Sequence, residues 1–297
     1  MSEQCPDSAP SGLPHALGAY LIWGFLPLYL ILVSEVPPFE FVGWRILWTV
    51  PFCFLIVALR RQWSEIRFAF TDGKALVTLV ASASLIGLNW FIYIWAIQSG
   101  HVYAASIGYY LNPLLNVLLG TWLLGETLTR RQWLAVSVAA AGVALLLGGA
   151  LTSLWMSLSL AITFGLYGLL RKQVSVGSLP GLTVESVLLT PISLAIVWWY
   201  ARQPQGSSFG KDMELSFLIV IGGVVTAFPL LLFAIAARRM DYSVIGFIQF
   251  LAPTIVFILG LTVFKQELQP AQLGSFILIW IAIALFISDL FARSRVA

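Results

Sequence analysis

Apolar positions along the chain gather into long runs separated by short polar breaks. A helix that rises 1.5 Å per residue needs ~20 apolar residues to cross ~30 Å of hydrocarbon. By that measure the runs at 16–34, 40–59, 75–97, 102–124, 132–150, 154–171, 180–200, 215–237, 243–264 and 271–290 predict ten membrane-spanning helices. The expected fold class is an all-α polytopic membrane protein. Composition agrees: 60% of the residues are hydrophobic, 10% are charged and the mean hydropathy is +0.93, whereas soluble domains carry about 25% charge.

Charge then adds an orientation. Twelve of the sixteen Lys and Arg fall in one set of connections or at the C-terminus: Arg60, Arg61, Arg67, Lys74, Arg130, Arg131, Arg171, Lys172, Arg238, Arg239, Arg293 and Arg295. Three (Arg202, Lys211 and Lys265) fall in the other set, and Arg45 lies within a span. Basic loops stay cytoplasmic, so both termini are predicted inside. The net charge of +3 follows from this topology and gives no reason to expect a nucleic-acid partner. Residues 1–15 and 292–297 are expected to be cytoplasmic tails, the first loosely ordered. The first fourteen residues hold no Lys or Arg, so they do not make the basic start of a cleavable signal, and the first span is expected to be retained. Cys5 and Cys53 are too few and too far apart for a disulfide framework or a metal site.

The chain also echoes itself. Without gaps, "AIQSGHVYAASIGYYLNPLLNVLLG" (Ala96–Gly120) aligns with "AARRMDYSVIGFIQFLAPTIVFILG" (Ala236–Gly260), placing Leu111 on Leu251, Pro113 on Pro253 and Gly120 on Gly260. Each copy reaches a glutamate soon after, Glu126 or Glu267. A weaker echo sets "AYLIWGFLPLY" (Ala19–Tyr29) beside "AITFGLYGLLR" (Ala161–Arg171), with Trp23-Gly24 on Tyr167-Gly168. Two five-helix halves are predicted, 16–150 and 151–291. Because five is odd, the second half would lie inverted in the membrane, which is a transporter signature.

These residues resemble a known family, the EamA-type transporters of the drug/metabolite transporter superfamily, and within it the RarD-like permease branch. The resemblance runs over nearly the whole chain. It is carried by "AYLIWGFLPLY", "NWFIYIWAI" (Asn89–Ile97), "ASIGYYLNPLLNVLLG", "LGETLTRRQWLAV", "FGLYGLLRK", "LPGLTVES" and "FIQFLAPT". It implies a basket of ten helices in two inverted halves around a central cavity, in a bacterial inner membrane, with members that export amino acids or other small metabolites. Multidrug efflux is the alternative. The oligomeric state is left open, a monomer included.

The polar residues inside the spans indicate where such a cavity would lie. Tyr109, Asn112 and Asn116 stand at i, i+3 and i+7 and share one helix face. Pro113 frees the Tyr109 carbonyl and bends the helix there. Tyr20, Trp23 and Pro27 repeat the spacing on the first span. Asn89 with Tyr93, Phe164 with Tyr167 and Gln249 with Pro253 complete the set. The candidate substrate-binding residues are thus Tyr20, Trp23, Asn89, Tyr93, Tyr109, Asn112, Phe164, Tyr167 and Gln249, and the candidate gates are Pro113 and Pro253. The competing reading makes the amides interhelical glue worth ~0.6 kcal/mol each and the rings interface anchors or packing. Glu126 and Glu267 read best as carboxylates at a helix start or in loop ion pairs. Arg45 and Glu185 are charges within spans, set too far apart in depth to pair. Arg45 is expected to face the outer vestibule or bond helix-end carbonyls there, and Glu185 to do the equivalent on the cytoplasmic side, with structural anchoring favoured over cargo contact for both.

Other functions are disfavoured. Asp241 and Asp289 sit at span ends, His15 and His101 have no partner at ligand or triad spacing, and no zinc motif is present, so neither a catalytic residue nor a metal is expected. No G-x-x-x-x-G-K loop appears, so transport would draw on gradients and no cofactor is implied. The expected partners are a small-molecule substrate and the lipid bilayer.

Overall fold

The computed structural model describes residues 12–147 and 154–294. The predicted N-terminal tail as far as residue 11, with Cys5, the join of the halves at 150–151, and residues 295–297 of the C-terminal tail lie outside them. Among the described residues there are twelve helices: α1 (Leu13–Leu32), α2 (Pro38–Arg60), α3 (Trp63–Thr71), α4 (Gly73–Gln98), α5 (Val102–Leu123), α6 (Arg130–Leu147), α7 (Leu154–Gln173), α8 (Ser178–Ala201), α9 (Met213–Arg239), α10 (Tyr242–Gln249), α11 (Leu251–Thr262) and α12 (Pro270–Ser294). Among the described residues eight segments are long and apolar enough to cross a membrane: α1, α2, α4, α7, α8, α9, α10 with α11, and α12. Large apolar side chains such as Leu59, Trp122 and Phe217 stand exposed around the bundle. That is expected of a surface that meets lipid.

The helix starts carry the internal repeat further than the sequence alignment did. Starts at 38, 73, 102 and 130 recur at 178, 213, 242 and 270, a uniform shift of 140 residues, while α1 recurs as α7 at a shift of 141. The caps recur as well. Asp72 accepts from Ala75 N at 2.6 Å to open α4, and Asp212 accepts from Leu215 N at 2.7 Å to open α9, satisfying one orphan N–H in each first turn. Packing between the halves is reciprocal: α1 lies on α11 as α5 lies on α7, α2 on α9 as α4 on α8, and α1 on α9 as α4 on α7. α2 with α8, α6 with α12 and α5 with α10 pair equivalent elements.

This packing corrects the weaker sequence echo. A Cβ added to Gly24 would lie 2.7 Å from the Ile255 side chain, and one added to Gly165 would lie 2.9 Å from that of Leu115. Leu115 and Ile255 are themselves 140 positions apart. The counterpart of Gly24 is therefore Gly165, not Gly168, because both glycines make room for the same helix crossing.

Two other expectations change. The connection at 60–74 holds α3, which is too short to span. Ile66 and Ala69 on it pack onto Ala75, Leu79, Val174, Val176 and Val184. The ninth predicted span is interrupted at Phe250, where α10 ends and α11 begins. Pro253 offers no N–H to the Gln249 carbonyl, so the helix ladder lapses there. Its counterpart Pro113 leaves α5 continuous.

Candidate functional site

A cavity of about 250 Å³ lies between α1, α4, α5, α7, α10 and α11. Tyr20, Trp23, Asn89, Tyr93, Tyr109, Asn112, Phe164 and Gln249 line it, together with Pro27, Pro253, Leu26, Leu30, Ser106, Tyr110, Ala252 and Val256. Tyr20 apart, its lining on these helices comes from the second halves of α1 and α4 and the first half of α5, hence towards the end of the bundle that carries the α4–α5 connection.

Aromatic rings cluster at its wall around Phe233, which does not itself line it. Trp23 and Phe164 meet edge to face at 5.8 Å between ring centroids, Phe164 lies 5.3 Å from Phe233, and Trp23 lies 5.9 Å from Phe233 and 5.5 Å from Tyr20. With α1 and α7 in register at Gly24 and Gly165, Trp23 and Phe164 occupy equivalent positions of the two halves. Phe233 was not singled out in the sequence. The 140-residue shift from Tyr93 would have found it.

Tyr167, which the sequence placed at the cavity, does not line it. One turn beyond Phe164 along α7, it is fully buried and stacks on Phe233 at 6.2 Å. Tyr242 packs in the same region and donates to the Gly165 carbonyl at 2.8 Å.

The amides divide between the two roles weighed for them. Asn116 donates to Gln249 Oε1 at 2.7 Å and so ties α5 to α10. Asn89 lines the cavity and also donates to Leu160 O and Thr163 Oγ1, both at 2.9 Å, which fixes α4 to α7. Tyr20 donates to Gln249 Oε1 over 3.4 Å. Asn112 is 1% exposed and its Oδ1 has no hydrogen-bond partner, which leaves one acceptor unspent at the cavity wall.

The charges within the bundle follow a pattern the sequence did not give. Arg45 and Glu185 form no ion pair with each other, as expected from their depth, but Glu185 does not turn to a wet mouth of the protein. Glu185 is 2% exposed and pairs with the fully buried Arg171 at 3.5 Å, accepting also from Ser82. Arg171 donates in turn to the Ser178 carbonyl at 2.7 Å. Arg171 stands in the last turn of α7, with its side chain turned into the bundle. Arg45 lies with its guanidinium 4.5 Å from the centre of the Trp90 ring, beside a smaller cavity of about 40 Å³ that shares Trp23, Leu26 and Leu30 with the large one.

Near the helix ends the carboxylates are structural. Glu126 accepts from Tyr242 N at 2.6 Å, from Ser243 N at 2.9 Å and from Ser243 Oγ, and so caps α10. Its counterpart is Gln266, not Glu267: both Glu126 N and Gln266 N donate to the carbonyl of the glycine six residues back. Glu40, at the start of α2, is fully buried and accepts from Ser207 Oγ, Ser208 N and Ser208 Oγ at 2.6–2.9 Å, closing the α8–α9 connection onto α2. No group of three or more metal-ligating side chains occurs among the described residues.

Comparison with known proteins follows this geometry. The EamA-like transporter family matches the chain twice, over residues 10–148 and 151–288. An uncharacterized transporter of Pseudomonas aeruginosa is 39% identical over 94% of each chain, and the protein RarD of Escherichia coli is 36% identical over 96% of each. A crystal structure of a protein 19% identical in sequence superposes with a TM-score of 0.76 over 96% of this chain and 100% of its own, a likeness of fold alone.

Proposed function

The chain belongs to the EamA-like transporter family, in its RarD-like branch, and from that premise we propose that it is a secondary transporter that exports small metabolites, amino acids with aromatic or large neutral side chains foremost. It is a multi-pass membrane protein. In this reading α5 and α6 also span, giving ten spanning helices in two inverted halves in a bacterial inner membrane, with both termini cytoplasmic. The 140-residue shift, the reciprocal helix packing and the skew of basic residues support the inversion.

The observation that carries the cargo reading is the wall of the large cavity, where rings and amides drawn from both halves surround a space of about 250 Å³. That is near the lower end of the ~300–1,000 Å³ common for ligand sites, which favours a small cargo. Trp23 and Phe164 would stack on an apolar or aromatic group, and Asn112 Oδ1 would accept from a cargo N–H. Because the cavity lies towards the predicted outer end while Phe233, Tyr167 and Tyr242 pack the other, the arrangement corresponds to an outward-facing step of alternating access.

Counterflow in proteoliposomes, with the purified protein and a panel of amino acids, tests the reading. Accumulation of labelled aromatic or large neutral amino acids against their unlabelled forms is expected. Silence for every amino acid, with movement of an unrelated drug, would replace the reading by multidrug efflux.

A further inference from the structure

Arg45 is a cation without a carboxylate. Its counterpart in the other half, 140 residues on, is Glu185, and that carboxylate is taken by Arg171. Glu40, on the same helix, is occupied by Ser207, Ser208 and Trp44. The titratable groups that bear on the Arg45 guanidinium are the phenols of Tyr109, Tyr93 and Tyr29. Its Nε is buried with no hydrogen-bond partner, and the face of Trp90 is the contact that steadies its charge. A charge inside a membrane protein is costly unless it is paired or serves a ligand path, and the pair is missing here.

The surroundings point to what completes it. The small cavity beside Arg45 shares Trp23, Leu26 and Leu30 with the large one, so the two lie side by side across these side chains, and a shift of the shared wall would let a molecule in the large cavity place one group against the guanidinium. At about 40 Å³ the side cavity exceeds the ~10–15 Å³ that a water needs and suits a group of a few atoms. Guanidinium donors form a planar fork that matches a carboxylate bidentately.

We propose that Arg45 binds the carboxylate of the cargo, with the rest of the molecule held in the large cavity against Trp23 and Phe164. The inference deepens the transporter reading and rests on it. It makes the free carboxylate the feature by which cargo is recognised, and it makes Arg45 a specificity-determining residue that touches substrate.

The test uses the purified full-length chain and matched ligands: phenylalanine against its carboxamide and against phenethylamine, and tryptophan against tryptamine. Equilibrium binding by the wild-type protein is expected to favour each carboxylate at least tenfold. Arg45→Gln should weaken the carboxylate members at least tenfold and leave the amide and amines where they were, while Arg45→Lys keeps part of the preference. A wild-type protein that binds the carboxamide as tightly as the amino acid overturns the proposal without any variant, so a poorly folding Arg45→Gln does not shield it. Unchanged selectivity in Arg45→Gln, with cargo still bound, also overturns it and leaves the transporter reading standing. If the wild type neither binds nor moves any of these compounds, the amino-acid reading fails and takes this proposal with it.

Discussion

Replacing Glu126 by alanine separates a structural carboxylate from a loop charge. The side chain receives three donors at the start of α10, two of them backbone N–H groups that would otherwise lack partners in the first turn. Loss of a cap costs about 0.5–2 kcal/mol, bonds to a charged acceptor are worth about 1.5–3 kcal/mol each, and an anion at a helix N-terminus adds about 0.3–1 kcal/mol. These contributions overlap. Glu126 is also only partly buried, so water replaces some of what is lost. A net cost of about 2–4 kcal/mol follows for Glu126→Ala and roughly half that for Glu126→Gln, which keeps one acceptor. At about 2–4 °C per kcal/mol for a chain of this order of size, the alanine variant should melt roughly 5–15 °C lower. Intrinsic fluorescence of the detergent-purified protein during heating reads this directly. Glu267→Ala, an exposed residue, is the control and should change stability by less than about 0.5 kcal/mol. Equal shifts in the two variants, or a larger one in Glu267→Ala, would refute both the cap and the pairing of Glu126 with Gln266.

That control shows where the sequence stopped being legible. Apolar runs located nearly every helix, because the need to satisfy backbone polar groups in lipid leaves few alternatives to a continuous helix of ~20 residues. Helix faces spaced at three, four and seven residues assembled most of the cavity lining, since that spacing is geometry and needs no tertiary knowledge. What failed required knowing which helix packs on which. Tyr167 and Phe164 share a face of α7, but only Phe164 reaches the cavity, and Tyr167, one turn further along, packs on Phe233 from α9. Arg171 looked like a loop cation because it ends an apolar run, yet Gly181 lets its guanidinium enter the bundle to meet Glu185, and no linear pattern encodes that meeting. The echo of Gly24 in Gly168 was a similar coincidence of residue types, and the packing of Ile255 and Leu115 places Gly165 there instead. α3 escaped notice because nine residues are too few to span, although they suffice to seat Ala69.

The buried pair makes a second prediction: Arg171→Met or Glu185→Leu alone should lower stability by about 3–5 kcal/mol, since each strands a charge, whereas the double variant should recover most of the loss in the same melting assay. Single and double variants with equal stability would show that the pair is not acting as one. The final prediction concerns the two prolines, proposed as gates at equivalent points of the two halves. Pro253 lines the large cavity and follows the Phe250 break, so Pro253→Ala can restore a hydrogen bond to the Gln249 carbonyl and straighten α10 into α11. Pro113 sits in a continuous helix whose carbonyl lies against Gly246 of α10, where a Cβ would meet it at 2.7 Å. Straightening at either site moves the same α5–α10 contact, because each helix bears on the other at that point. Both variants should therefore fold and bind cargo yet slow counterflow, with Pro253→Ala the slower because it also removes a break. Rates unchanged in both variants, measured separately at equal reconstitution, would mean that the bends are fixed features of the basket and that access alternates elsewhere.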